Sequence, residues 1–159
     1  MPKVTLRPAA EDDAPAVAEI WQRGWSDGHL GNVPDALVAV RTPESFVLRT
    51  VEGLPHTTVA VIGTAVAGFV MVVDDEVEQV YVAAAHRGSG VAAVLLAEAE
   101  RLVAAEGYRE AWLAVAPGNA RARRFYERQG WSDAGLFDYP AHTADGPMPV
   151  PCHRYVKAV

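Results

Sequence analysis

Two stretches of the chain place residue types at spacings that can bind an anion or move a proton. In the first, Val80-Tyr81-Val82 leads through a short connection into Arg87-Gly88-Ser89-Gly90-Val91-Ala92-Ala93. An apolar run thus meets a Gly-rich turn at the start of a long helical pattern. The first-turn N–H groups of a helix have no partner within it, and the helix dipole adds partial positive charge there. Glycines leave those groups approachable, so the turn can cradle a phosphate, with Arg87 and Ser89 as further donors. A bare Gly-x-Gly serves equally well as a tight turn and helix cap, so the turn alone does not decide its use. Just upstream, Glu76 and Glu78 stand two apart on a predicted strand. That spacing puts both carboxylates on one face, where either could draw a proton directly or through water.

Other chemistries fit less well. Gly88-x-Gly90-x-x-Ala93 formally matches a dinucleotide fingerprint. It follows about the fourth strand, however, and the next strand has no clean acidic residue at its end for a ribose. No Gly-Lys-Ser/Thr of a Walker A loop occurs. His142, Cys152 and His153 match no standard ligand spacing, and Pro147, Pro149 and Pro151 intervene, so no metal is expected.

The elements that position these residues follow from periodicity. Val4–Arg7 alternates as a strand. Glu11-Asp12-Asp13 supplies an acidic first turn for a helix to about Arg23, with Ala14, Val17, Ala18 and Trp21 on one face. Residues 24–34, rich in Gly, Asn, Asp and Pro, read as a loop. Thr42 and Pro43 open a helix to about Val51. Thr57–Ile62 and Val66–Val73 form a hairpin across Gly63-Thr64, and Glu76–Val82 follows after Asp74-Asp75. Ala92, Leu95, Leu96, Ala99, Leu102 and Val103 recur at helical spacing up to Gly107. Arg109–Val115 reads as a strand, Gly118 to about Arg128 as a helix, and 131–138 and 152–158 as last strands. The stretch Pro140–Pro151 between them is expected to be an exposed loop. The expected class is α/β, with one mixed sheet and a single domain over residues 1–159.

Composition agrees with this class. The 159 residues are 50 % hydrophobic and 21 % charged, which suits one globular domain with its own core. A single cysteine, Cys152, excludes an internal disulfide framework. No apolar run approaches the ~20 residues of a membrane helix, and the N-terminus has no signal-peptide pattern. A cytoplasmic location is expected, with no membrane partner. The formal net charge of −6 argues against nucleic acid. Residues 1–79 carry 5 basic and 12 acidic groups, and residues 80–159 carry 9 and 8. Anion binding is therefore expected in the second half, and the acidic first half favours a cationic partner over an anionic one.

Arg87-x-x-Gly90-x-Ala92 after a strand resembles the acyl-CoA-binding motif of the GCN5-related N-acetyltransferases, the GNAT superfamily. Downstream, Asn119-Ala120-Arg121-Ala122-Arg123-Arg124-Phe125-Tyr126-Glu127-Arg128-Gln129-Gly130-Trp131 resembles the same superfamily's later helix: an Asn start, a Phe-Tyr-Glu core and a Gly-aromatic end. Ala84 stands where many members have proline, and Ala92 where many have glycine. The resemblance covers essentially the whole chain, with His153–Lys157 as the last strand. It implies a mostly antiparallel mixed sheet, flanked by helices, in which strands 76–82 and 109–115 are parallel and splay apart.

Acetyl-CoA would lie in that notch as the acyl donor, with no metal. Its pantetheine arm would pair with the backbone of Val80, Tyr81 and Val82, and its pyrophosphate would rest on Gly88, Ser89, Gly90, Val91, Ala92 and Ala93. Asn119 would meet the pantetheine arm. Arg87, Arg121, Arg123 and Arg124 either reach the phosphates or are solvated helix-face arginines. Tyr126 matches the position of the superfamily's general acid toward sulfur, and Glu76 that of its glutamate base; Glu78 stays open for the second role. An amine acceptor, small or peptidic, would meet Trp25, Asp27, His29 and Asn32 in the first loop and Tyr139 and His142 in the last. The implied activity is N-acetylation of a primary amine by direct attack. A non-catalytic acyl-CoA-binding module of the same fold is the alternative. Edge strands leave room for a homodimer.

Overall fold

A computed structural model of the protein describes residues 3–159. The elements are β1 (Val4–Pro8), α1 (Ala14–His29), α2 (Asp35–Val40), α3 (Pro43–Gly53), β2 (Thr57–Ile62), β3 (Ala65–Val73) and β4 (Glu76–Val82). Then come α4 (Val91–Ala105), β5 (Glu110–Val115), α5 (Ala120–Arg128), β6 (Ser132–Ala141) and β7 (Met148–Ala158). One seven-stranded sheet has the order β1-β2-β3-β4-β5-β7-β6. All neighbours are antiparallel except β4 and β5, which are parallel and share one register pair, Glu76↔Trp112. Beyond that pair the two strands separate, and the inner edges of β4 and β5 have no strand partner.

The sheet has an apolar cluster on each face. One packs Val91, Leu95, Leu96, Ala99 and Val103 of α4 against β3, β4 and β5, with Trp131 and Tyr155. The other packs Val17, Trp21 and Trp25 of α1 and Phe46 of α3 against Val59, Phe69 and Met71. Among the described residues, no helix is long and apolar enough to cross a membrane.

Three stretches differ from the expectation. α1 runs on to His29 where a loop was expected from residue 24. Glycine inside a helix costs about 1 kcal/mol, but these glycines sit where other parts press on the helix. A Cβ at Gly24 would stand 2.3 Å from the Tyr81 ring, and one at Gly28 would stand 2.8 Å from Asn119 Nδ2. The buried Trp21 and Trp25, one turn apart, hold the extended helix down. Past the end of that expected loop, in a stretch where the periodicity shows no element, Asp35 begins the short α2, which buries Leu37. Finally, half of the Pro-rich stretch 140–151 is strand, and only residues 142–147 form the expected loop. Pro140 stands opposite Pro149, and Asp138 opposite Pro151, in the β6–β7 ladder. β6 is an edge strand, and β5 pairs with β7 only from His153 onward. The prolines therefore lie where one side of the strand has no ladder to donate to, the setting that tolerates them.

Candidate active site

The split between β4 and β5 opens into a cavity of about 960 Å³ that reaches both faces of the sheet. Local sequence explains its α4 side. Gly88 and Gly90 adopt φ of 78° and 87°, in the left-handed region that side chains with a Cβ rarely adopt. A Cβ at either would meet nothing within 4 Å, so both glycines border open space. The first N–H of α4 with a carbonyl partner is that of Val94, on Gly90 (3.2 Å). The N–H groups of Val91, Ala92 and Ala93 are left free at the cavity mouth. Asn119 caps α5 through Ala122 N–H (3.2 Å) and lines the cavity across the split.

Not every expected anion donor is there. The Ser89 hydroxyl donates to the His86 carbonyl, and Ser89 does not line the cavity. A serine between two left-handed glycines turns back on its own loop. Arg123 donates to Tyr155 Oη (3.1 Å), Pro117 O (3.2 Å) and Asp133 (3.2 Å), which makes it a brace beneath the sheet. Arg121 lines the cavity; Arg124 does not, but Arg128, one turn further along α5, and Gln129, just past its end, do. Arg87 lines it while paired to Asp27 of α1 at 2.6 Å. Val80 and Val82 pack toward the α4 cluster, whereas the Tyr81 ring lies on the other face against Phe69, at 5.8 Å between centroids. Tyr81 thus brings its backbone to the split and its side chain to the face that carries α1.

β4 carries a bulge. Gln79 pairs with Met71 and Val77 with Val72, so Glu78 is the extra residue. The strict alternation that put Glu76 and Glu78 on one face is broken there, yet both line the cavity. Glu76 sits at the closed end of the split and accepts a hydrogen bond from Tyr139 Oη at 2.5 Å. Burial, aided by Glu78 and Asp75, raises its pKa to about 7 against the pull of Tyr139. Burial also raises Glu78, while His56, Arg49 and His142 pull it back. Tyr126 packs beside Trp131 and Tyr155 and lines the cavity; burial pushes its hydroxyl up to about 12. That hydroxyl makes no hydrogen bond among the described residues.

On the α1 side of the cavity, Trp25 is buried and stacks on His29 at 4.9 Å. His29 Nδ1 meets the Trp25 carbonyl (3.0 Å), and burial together with Arg41 and Arg49 lowers its pKa to about 4, so the ring is neutral. Tyr139 comes in from β6, more than a hundred residues from Trp25. His142 stands at the rim, its carbonyl bound by Arg41. Asn32 misses the cavity: its side chain bonds the Gly28 carbonyl (3.0 Å) and abuts Gly118. Cys152 lines the cavity as a buried thiol pushed up to about 11, which keeps it protonated and a poor nucleophile. Among the described residues, no three His, Cys, Asp or Glu side chains are placed to hold a metal ion.

Two lining residues, Arg41 and Arg49, escaped the sequence reading. The acidic surplus of residues 1–79 points mostly elsewhere; of its twelve acids only Asp27, Glu76 and Glu78 line the cavity. Arg49 had one visible signal. It stands three after Phe46 and next to Thr50, on the buried stripe of α3.

Comparison with known proteins follows the same outline. No curated protein matches the chain. The protein resembles the GCN5-related N-acetyltransferase structure from Rhodopseudomonas palustris with a TM-score of 0.76 and 19 % identity, over 100 % of this chain and 98 % of that one. It also resembles yncA, a putative acetyltransferase from Salmonella typhimurium solved with its cofactor acetyl-CoA (TM-score 0.68, 17 % identity, 98 % and 94 % covered). A third is the PaiA N-acetyltransferase of Thermoplasma acidophilum, in complex with coenzyme A (TM-score 0.69, 15 % identity, 99 % of each chain). At these identities the likeness is one of fold. The family described as acetyltransferase (GNAT) family matches residues 14–131, most of the chain and all of α1 through α5. The protein belongs to the GNAT family of acetyltransferases.

Proposed function

We propose that the protein transfers an acetyl group from acetyl-CoA to a primary amine by direct attack, with Glu76 as general base and Tyr126 as general acid. The observation that carries this is Glu76. It is a carboxylate at the closed end of the split, inside the cavity, with its pKa raised to about 7. A base poised near the working pH is half-ionised there and strong enough to take a proton from an ammonium losing it to attack. A module that only held acyl-CoA would have no use for a desolvated carboxylate at that point.

The chain's residues divide the task. The free edge of β4 and the N–H groups of Val91, Ala92 and Ala93 suit an extended amide-bearing arm and its pyrophosphate. Gly88 and Gly90 leave room for that approach. The amine nitrogen bonds to the acetyl carbon as the carbon–sulfur bond breaks. Glu76 receives the proton the ammonium gives up in order to attack, the sulfur departs with a proton from Tyr126, and the second proton shed by nitrogen after attack returns to Tyr126 through solvent. The Tyr126 hydroxyl remains protonated across the neutral range, as a donor must.

The test is release of free thiol from acetyl-CoA in the presence of a panel of primary amines. Thiol release that depends on an amine supports the enzyme. Tight acetyl-CoA binding with no amine-dependent release overturns it in favour of a binding module.

A further inference from the structure

The acceptor side of the cavity holds two arginines that no side chain neutralises. The Arg49 guanidinium lies 4.3 Å from the Trp21 ring centroid and 5.6 Å from that of Phe46. Stacking fixes its plane but satisfies none of its N–H groups. Its Nη1 is buried with no hydrogen-bond partner among the described residues. Arg41 gives one nitrogen to the His142 carbonyl (2.7 Å), and its Nε is likewise buried and unpartnered. Among the described residues, neither arginine takes part in an ion pair.

The two are close enough to act on each other. Burial, with Arg41 beside it, lowers the pKa of Arg49 to about 10. The guanidinium is still charged at neutral pH. A half-buried charge with no ion-pair partner is costly, and a buried N–H without an acceptor adds to the cost. A bound oxyanion removes both penalties, and the planar guanidinium fork suits a carboxylate. The same cavity offers carboxylates close to the arginines but bonded to neither. Glu78 lies within electrostatic reach of Arg49, and Tyr139, bonded to Glu76, within reach of both arginines. A molecule carrying both an ammonium and an oxyanion matches the carboxylates and the arginines.

We propose that the acceptor is a small amino acid or close analogue, its carboxylate or equivalent oxyanion held by Arg41 and Arg49 and its amine presented to Glu76. This rests on the acetyltransferase reading above. A peptide N-terminus does not fit as well, because its nearest carboxyl is spent in an amide.

The experiment compares each common amino acid with its own carboxamide. Thiol release is measured at saturating acetyl-CoA with wild type, R41Q and R49Q. In parallel, melting of the wild type is followed with coenzyme A and the same compounds. The expected result is at least one acid whose kcat/KM exceeds that of its amide by about tenfold or more, since the amide leaves the guanidinium groups unpaired. R41Q and R49Q should cut that preference about fivefold through KM for the acid, with KM for acetyl-CoA within about twofold of wild type. Amides used as well as acids, or a preference intact in both variants, overturn the proposal. Should R49Q fail to fold, R41Q and the wild-type pairs decide between these outcomes. If no compound releases thiol, it is the acetyltransferase reading that has failed. The melting series then decides the anion site alone: a rise with acids but not amides supports it, and an equal response or none overturns it.

Discussion

The two sides of the cavity are built in opposite ways. The side proposed to hold the cofactor is local: β4, the Gly88–Gly90 turn and the first turn of α4 lie within about twenty residues, and their useful groups are mostly backbone N–H and C=O. The acceptor side is assembled from afar. Trp25 and His29 come from α1, Arg41 from the end of α2, Arg49 from α3, and Tyr139 and Cys152 from the last hairpin. Its useful groups are side chains whose charge state depends on burial. A backbone site tolerates change everywhere except at its glycines, whereas a side-chain site can be retuned by single substitutions. The two sides meet at Glu76, at the join of β4 and β5, and at the Asp27–Arg87 ion pair.

The largest effect is expected where the sides meet. E76Q should lower kcat about 10²-fold at pH 7 and leave the affinity for acetyl-CoA nearly unchanged. The wild-type kcat/KM should rise with pH through a limb near 7, as Glu76 ionises. In E76Q that limb should vanish, and the deficit should shrink as pH nears the acceptor's own pKa. A pH profile matching wild type would remove Glu76 from the role. The same variant has a stability signature. A carboxyl whose folded pKa is raised contributes stability below its unfolded pKa and loses it as pH rises through the folded value. Melting should therefore favour E76Q above pH 7, where the wild type carries an ionised, desolvated carboxylate, and the gap should close on acidification.

The cofactor side breaks at its glycines. G90V puts a Cβ and two methyls into the open mouth and forces a branched residue to φ of 87°. Stability should fall by about 1–2 kcal/mol, and calorimetry should show coenzyme A binding weakened about tenfold or more. Unchanged binding would mean that the cradle lies elsewhere.

Smaller effects sharpen the contrast. Y126F should slow transfer about tenfold, since a thiolate leaves fairly well unaided. Binding of coenzyme A and melting should hold, because the hydroxyl has no partner to lose. Because that hydroxyl titrates only near 12, it should produce no alkaline limb below pH 10. Normal turnover of Y126F would end its assignment as the acid. Smallest of all, Y139F removes a hydrogen bond that favours the Glu76 carboxylate. The Glu76 pKa should rise, moving the limb of the pH profile upward by less than about one unit. A downward shift would contradict this geometry.

Legibility in the sequence follows the same divide. Gly88 and Gly90 are readable because a strand, a turn and a helix start are short-range events, whereas Asn119 and Tyr126 stand out only through the family resemblance. Trp25, His29 and Tyr139, which loop composition suggests for the acceptor, do line the cavity, but on a helix and a strand instead of loops. The glycines that made 24–34 look like a loop are there for the Tyr81 ring and Asn119, a reason visible only once the packing is known. The prolines of 140–151 misled similarly, since nothing local tells that one side of those strands lacks a neighbour. Ser89 and Arg123 were the right residue types, but each found a partner elsewhere in the fold.

The sequence by itself determined the class, the order of elements around the split and the backbone cradle at the start of α4, because these depend on periodicity and on where glycine stands. Only the tertiary structure decided the chemistry of the acceptor side. The raised Glu76, the neutral His29 and the unpaired Arg41 and Arg49 are products of desolvation and of neighbours brought from distant parts of the chain. The charge of half a chain could not stand in for them: an acidic half of the sequence placed two arginines in the cavity and turned most of its carboxylates away.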